Sequence, residues 1–241
     1  MPFNAIEFET LSASGILQNV PHDVVLEAID GSPDCRRAQL CLPPNEIFLH
    51  AGQTAPGLYI IIHGTIEMFV AEADGKERVL DFVKGGSTLA KETLFSDKPL
   101  QYSARSLSAA AILHLPNALI SEWIARYPAF ARRLMSLVAE RIDFLYKDML
   151  TFRSKRATSR LVCYLLCHFD KAPKTPDGSY SLRIDIPYFK LASRLGVSDS
   201  QISRSFRELQ EHGLIVAQDQ GFFIPNVAAL SKYVCPAGCD F

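Results

Sequence analysis

The chain has 241 residues, 48% of them hydrophobic and 21% charged, which permits a buried core and excludes a disordered polymer. Its apolar runs fall short of the ~18 residues that span a bilayer, and the acidic start MPFNAIEFETL lacks the basic and apolar regions of a signal peptide, so a cytoplasmic protein without a membrane span is expected. The net charge of −1 divides unevenly: residues 1–150 carry 13 Lys+Arg against 18 Asp+Glu and residues 151–241 carry 12 against 8, a mild basic bias that leans the C-terminal part toward nucleic acid.

Along the chain, FETLSASGIL and PHDVVLEAI carry apolar residues at three- and four-residue spacings and predict short helices. From about Gln39 the texture turns to β-prone runs marked by glycine: EIFLHAG, GLYIIIHGTIEMFVAEADG, ERVLDFVKGG and YSARSLSAAAILHLP. EADGKE reads as a hairpin turn, and six to eight short strands at this spacing predict a jelly-roll barrel. A long helical stretch follows, from near Ala118 past Pro128 to about Leu150. Leu134, Leu137, Val138, Ile142, Leu145 and Met149 approach a heptad seam along it. A helix of ~23 residues is ~34 Å long and outreaches a small barrel, so a parallel dimer seam is favoured over packing on its own barrel. A second helix, RLVCYLLCHF, a loop, KAPKTPDGS, and a short strand, LRIDIP, come next.

The segment PYFKLASRLGVSDSQISRSFRELQEHGLIVAQDQGFFIPN reads as helix, tight turn, helix and β-hairpin. Pro187 suits a helix start. Leu191, Ala192 and Leu195 give an apolar face, and Gly196 stands where the chain must turn sharply between helices. Small Ala192 lets the second helix cross closely, Val197 and Ile202 fill the angle, and Ser198 or Asp199 can cap the second helix. Gly213 ends that helix, and DQG forms the tip of a wing. This is the pattern of a DNA-reading helix-turn-helix, which sets the N-terminal residues of its second helix in the major groove. The DNA-contacting candidates are Ser198, Ser200, Gln201, Ser203, Arg204 and Arg207. Arg204 suits O6 and N7 of guanine, Gln201 suits adenine or a phosphate, and Arg207 and Lys190 suit phosphates.

On these motifs the chain resembles the cyclic-AMP receptor protein/fumarate-nitrate reductase regulator (CRP/FNR) family. HAGQTAPGLYIIIHGTIEMF is similar to that family's glycine-marked strands, GGSTLAKETLF to its effector-pocket segment, and ISRSFRELQEHGLI to its recognition helix and following strand. Within the family the likeness runs to the haem-linked, nitric-oxide-responsive denitrification regulators of the DNR type. The resemblance implies an α+β architecture: a cyclic-nucleotide-binding-like β-barrel over 1–125, a dimerisation helix over 126–152 and a winged helix-turn-helix over 153–241. It implies a homodimer on palindromic double-stranded DNA, an allosteric transcription activator with RNA polymerase as a partner, and a small-molecule or gas effector. It also places an effector pocket at Leu89, Ala90, Lys91, Glu92, Tyr102, Arg105, Leu145 and Tyr146.

The departures narrow the effector. Cyclic-nucleotide members carry a Gly-Glu pair and an Arg-Ser pair for ribose and phosphate, where this chain has Ala90-Lys91 and Gln101-Tyr102. A buried cyclic phosphate needs an arginine and backbone amides, and Arg105 is displaced by several residues, which argues against cyclic AMP. An iron–sulfur cluster normally takes four thiolates. Of the six cysteines, only Cys35 and Cys41 lie early, Cys163 and Cys167 lie in the second helix, and Cys235 and Cys239 follow the wing, which argues against a cluster. Haem is left open, with no ligand chosen among His22, His50, His63, His114, His168 and His212. The family's usual Glu in the recognition helix is Ser200 here, which implies a half-site altered at one base pair. A jelly-roll metal enzyme would need converging histidines, and the chain has no H-x-H, no P-loop and no G-x-S-x-G. An enzyme is not expected.

Overall fold

A computed structural model of the chain describes residues 15–30, 39–96, 98–154, 156–169, 179–182, 186–218 and 221–234. The chain divides into two compact units, Met1–Asp143 and Phe144–Phe241, and the division falls inside the longest helix.

In the first unit, a 3-10 turn at Leu17–Asn19 and helix α1 (His22–Asp30) precede eight strands: β1 (Gln39–Leu42), β2 (Ile47–Leu49), β3 (Gly57–His63), β4 (Thr65–Ala71), β5 (Glu77–Lys84), β6 (Thr88–Leu89), β7 (Ser103–Ser106) and β8 (Ala110–Pro116). They form two antiparallel four-stranded sheets, ordered β1-β8-β3-β6 and β2-β7-β4-β5. The expected hairpin at EADGKE joins β4 to β5, with the Glu72 N–H donating to the Lys76 carbonyl and Asp74 accepting from the Lys76 N–H.

Strand alternation assigns the two faces. Tyr59, Ile61 and Ile112 from the first sheet meet Leu49, Ile66, Met68 and Ala104 from the second in the barrel interior. Leu58, Ile60, Ile62, Leu113 and Leu115 face the other way and pack with Val25, Ile120, Trp123, Phe130 and Leu134 of the helices. β3 is therefore covered on both faces, which is why GLYIIIH reads as a continuous apolar run rather than an alternating one.

The predicted single helix from Ala118 is two. α2 (Asn117–Arg126) ends at Tyr127, and α3 (Pro128–Ser154) starts on Pro128. Proline suits a first helical position because its missing N–H would have no partner there. Trp123 meets Phe130 edge-to-face across the break, with ring centroids 5.5 Å apart. The predicted seam is also redistributed. Leu134 is fully buried in the helix–sheet core and Leu137 packs against it. The exposed apolar positions are Met135 (64%), Ile142 (48%), Leu145 (49%) and Met149 (49%). With half-buried Val138, Met135–Ile142–Met149 and Val138–Leu145 form two seven-residue series, a true a/d stripe. One face of the helix packs on the sheet, and another leaves an apolar stripe exposed.

The second unit contains α4 (Ala157–Phe169), β9 (Tyr180–Leu182), α5 (Tyr188–Leu195), α6 (Asp199–Glu211), the strands β10 (Val216–Gln218) and β11 (Gly221–Ile224), and α7 (Val227–Val234). The sheet order is β10-β11-β9, and Gln218 pairs with Gly221 across the expected wing tip. Phe206 is stacked between Tyr188 and Phe222, with centroid separations of 4.9 and 4.7 Å. The KAPKTPDGS loop up to Gly178, half of LRIDIP (183–185), most of FETLSASGIL (8–14), Asp219, Gln220 and the tail with Cys235 and Cys239 lie outside the described residues.

Gly57 sets the closest approach in the barrel. A Cβ there would stand 2.0 Å from the Leu115 carbonyl oxygen and 2.8 Å from His114 Nε2. The obstacle is backbone on a paired strand, so it has no rotamer to yield. Gly57→Ala is expected to lower unfolding stability by at least ~3 kcal/mol, measured as a shift in the urea midpoint. A loss below ~1 kcal/mol would show that β3 and β8 can separate freely.

Candidate functional site

The turn between α5 and α6 follows from its residues. Gly196 takes φ 62°, ψ 40° and ends α5, its N–H donating to the carbonyls of Ala192 and Ser193. Only glycine adopts this left-handed conformation without a Cβ penalty. Ser198 caps α6 in a reciprocal box: Ser198 Oγ accepts from the Gln201 N–H at 3.3 Å, and Gln201 Oε1 accepts from the Ser198 N–H at 2.9 Å. Ile202 is buried and Val197 half-buried, as the pattern requires.

Three residues that sequence reasoning missed brace this turn. Phe152, near the end of α3, has Arg160 and Arg194 over its ring at 5.3 and 5.7 Å. Arg160 donates to the carbonyls of Leu195, Gly196 and Phe152 at 3.1, 3.2 and 3.0 Å. Arg194, 4% exposed, donates to Asp148 at 3.0 Å. The signal for this brace was an arginine at a buried position of an amphipathic helix, which must find a partner. Behind α6, Glu208 accepts from Thr158 Oγ1 at 2.6 Å and from the Tyr233 hydroxyl at 2.7 Å, fixing α6 to α4 and α7. These two hydroxyl donors, Thr158 first, hold the Glu208 carboxyl below its ordinary range.

The outer face of α6 presents Ser200, Gln201, Ser203, Arg204 and Arg207, all exposed. Their availability differs. Gln201 and Ser198 are engaged in the cap, and Ser203 Oγ donates to the Asp199 carbonyl at 2.9 Å. Arg204 and Arg207 extend from the helix as exposed cations on one side, at i and i+3.

The barrel brings only part of the predicted pocket together. Leu89, Ala90 and Tyr102 lie in the interior cluster. The Tyr102 hydroxyl accepts the Ala90 N–H at 3.0 Å, with the Glu92 carboxylate beside it. Burial first, and Glu92 second, push the Tyr102 phenol well above its ordinary range. Lys91 is buried, and its Nζ donates to the carbonyl and Oγ1 of Thr88 at 3.0 and 3.3 Å. Burial, reinforced by Arg141, pulls the Lys91 ammonium down to about 8, although Glu92 and Asp81 partly offset this. Arg141 of α3 itself reaches back to buried Asp81 on β5.

Arg105 is a correction. On β7 it points away from the interior that Tyr102 and Ala104 face. It pairs with Glu67 at 2.7 Å and Glu77 at 2.6 Å and lies over the Phe69 ring at 4.6 Å. One residue of parity moves a side chain to the other side of a sheet. Leu145 and Tyr146 are 49% and 61% exposed along α3.

Haem would most often take a histidine as axial ligand. Among the described residues, His114 faces the barrel interior, stacked on Tyr59 at 4.7 Å, and burial lowers its basicity. Its Nε2 has no hydrogen-bond partner among the described residues, yet it abuts Gly57, 2.8 Å from the point a Cβ would occupy. That nitrogen is enclosed by the barrel, so His114 as placed offers no open position to a haem iron. His22, His50, His63 and His212 are exposed. No group of three or more His, Cys, Asp or Glu among the described residues could hold a metal ion, and no described helix is long and apolar enough to cross a membrane.

Comparison with known proteins matches both units. A family model for the cyclic nucleotide-binding domain covers residues 39–127, and one for the Crp-like helix-turn-helix domain covers residues 159–233. The chain is 27% identical over 172 residues to the HTH-type transcriptional regulator Cmr of Mycobacterium tuberculosis (strain CDC 1551 / Oshkosh), covering 71% of this chain and 66% of that protein's length. It is 25% identical over 179 residues to the cAMP-activated global transcriptional regulator CRP of Pasteurella multocida (strain Pm70), covering 73% of this chain and 84% of that one. Among solved structures it shares the fold of FixK2 from Bradyrhizobium japonicum, with a TM-score of 0.67 at 16% identity over 80% of this chain and 94% of that one.

The Lys91 environment gives a signed pH dependence. Its folded pKa of about 8 lies below the ordinary value of 10.5, so the unfolded chain takes up the proton first as pH falls. The resulting destabilisation is fully present below pH 8 and is lost as pH rises toward 10.5. Lys91→Met is therefore expected to be more stable than the parent at pH 7, by at most ~3 kcal/mol, with the gap closing by pH 10. Urea midpoints at pH 7, 8.5 and 10 check this, and a gap that does not change with pH would refute it.

Proposed function

Because the chain belongs to the CRP/FNR family of transcription regulators, joining a cyclic nucleotide-binding domain to a Crp-like helix-turn-helix, we propose that it reads a palindromic DNA site as a homodimer and carries a signal from its barrel to that site. The single observation that carries this reading is α6: capped at Ser198, fixed from behind through Glu208, and presenting Arg204 and Arg207 outward. A helix held this rigidly can enter a major groove without reordering its own side chains. Arg204 takes the guanine edge in this reading, with Ser200 beside it, while Arg207 and Lys190 take phosphates. The relatives are regulators of transcription rather than enzymes, and that level of description extends to this chain.

The dimer reading is supported by the Met135–Val138–Ile142–Leu145–Met149 stripe, an apolar seam that one copy leaves uncovered. Family members bind DNA as homodimers, and two-fold symmetry in the protein calls for two half-sites about one helical turn apart. α3 is the carrier of the signal. Near its middle Arg141 holds Asp81 of the barrel, and near its end Phe152 sits under Arg160 and Arg194 of the DNA-binding unit. A ligand that favours one placement of Asp81 over another biases the helix by its differential affinity alone. RNA polymerase is the partner such a regulator addresses, in the cytoplasm where the DNA lies. The likeness to nitric-oxide-responsive members would call for haem, and the placement of His114 against Gly57 speaks for a different small effector.

Two sets of variants test this. Arg204→Ala is expected to lose ~1–3 kcal/mol, roughly 5- to 150-fold, of affinity for its operator and to relax base preference at one position. Arg207→Ala should weaken all sequences alike and reduce the salt slope by about one. Fluorescence anisotropy on matched and mismatched duplexes separates them, and unchanged specificity in Arg204→Ala would remove α6 from the interface. Ile142→Asp places a charge at the centre of the stripe and should yield a monomer by sedimentation; a persistent dimer would place the seam elsewhere.

A further inference from the structure

The turn after β6 holds an unusual backbone. Ala90 is left-handed at φ 61°, ψ 15°, and leads into the 3-10 turn Lys91–Thr93. A non-glycine residue in this region is strained unless the surroundings hold it, and here the Ala90 amide and carbonyl and the Lys91 ammonium are all answered from within the chain. The Ala90 N–H goes to the Tyr102 hydroxyl, the Ala90 carbonyl accepts from Thr93 Oγ1 at 2.8 Å, and the Lys91 ammonium folds back onto Thr88. The Tyr102 ring, 5% exposed, fills the interior beneath the turn.

A left-handed residue opening a 3-10 turn turns its amide inward, which is the geometry that takes an anionic oxygen. In this barrel that position already holds an oxygen, the phenol of Tyr102, the residue just before β7 inside the same cyclic nucleotide-binding domain. An entering phosphate would have to displace both the hydroxyl and the ring. Arg105, which could have met it, lies on the other face of β7 between Glu67 and Glu77.

We propose that Tyr102 is the specificity-determining residue of the barrel: a tethered occupant that holds the Ala90 turn in its bound arrangement and excludes cyclic nucleotides. This rests on the reading of the barrel as the input domain of a DNA-binding regulator. The DNA-bound fraction of the parent protein then does not depend on cyclic AMP or cyclic GMP, and the effector, where one acts, has no need of a phosphate.

The test is thermal unfolding of the full-length protein without DNA, with cyclic AMP, cyclic GMP or inorganic phosphate at about 10 mM, for the parent, for Tyr102→Phe, and for Tyr102→Ala and Tyr102→Leu each combined with Gln101→Arg. The parent is expected to show no shift. Tyr102→Phe, which keeps the ring but frees the Ala90 amide, should melt about 2–4 °C lower and still ignore the nucleotides. Tyr102→Ala, or Tyr102→Leu should the alanine variant fail to fold, each combined with Gln101→Arg to supply the guanidinium that a cyclic phosphate needs, should gain about 2–4 °C with cyclic nucleotide, the response of a millimolar site at tenfold excess. A saturable shift in the parent overturns the proposal, as does a folded double variant that ignores cyclic nucleotide. Anisotropy on palindromic DNA, run in parallel, separates the two readings. A parent that binds no DNA removes the regulator reading while the nucleotide arms still decide the role of Tyr102.

Discussion

One helix has to satisfy two surroundings at once, and most of the structure depends on how it does so. α3 buries Phe130 and Leu134 against the first sheet, ties Arg141 to Asp81 on the second, and ends with Phe152 under two arginines of the following unit. An α-helix places successive side chains 100° apart around its axis, since 3.6 residues make a turn. The face left over by these obligations is therefore not free to vary. It is the Met135–Met149 stripe, whose position follows from where Leu134 and Arg141 had to go.

The same constraint explains what the sequence revealed and what it concealed. The helix-turn-helix was legible almost residue by residue. Its signals are local: a glycine at a left-handed turn, a serine at a cap, apolar residues at helical spacing. The barrel strands and the hairpin at Asp74–Gly75 were legible for the same reason. The split between Leu134 and Met135 was not, because both residues are apolar and adjacent, and only the position of the sheet decides which of them turns inward. Arg105 failed by the parity of a strand: two carboxylates distant in sequence, Glu67 and Glu77, claim it on the far face. The brace of Phe152 by Arg160 and Arg194 joins residues up to 42 positions apart, a separation that no window of periodicity can see.

The two ionic arrangements around the barrel differ in kind. Arg105 between Glu67 and Glu77 is a closed, partly exposed network that supports a sheet face, and such networks act mainly on local order. Asp81 with Arg141, and Lys91 nearby, is a buried group in which the charges do not all cancel pairwise. Removing one partner of such a buried group is costly because it leaves the other charge uncompensated.

The cap of α6 carries a consequence for how broadly the protein can act in a genome. The side chain of Gln201 closes the helix start by accepting from the Ser198 amide, so turning its amide to a bidentate pairing with an adenine edge competes with that bond. The cap is worth ~1 kcal/mol, close to what a single well-made base contact returns. If α6 enters the groove as proposed, base choice opposite Gln201 is nearly neutral and discrimination concentrates on Arg204. A regulator built this way tolerates drift at one operator position while holding firmly to another, and can gather promoters whose sites have diverged without changing a residue of its own.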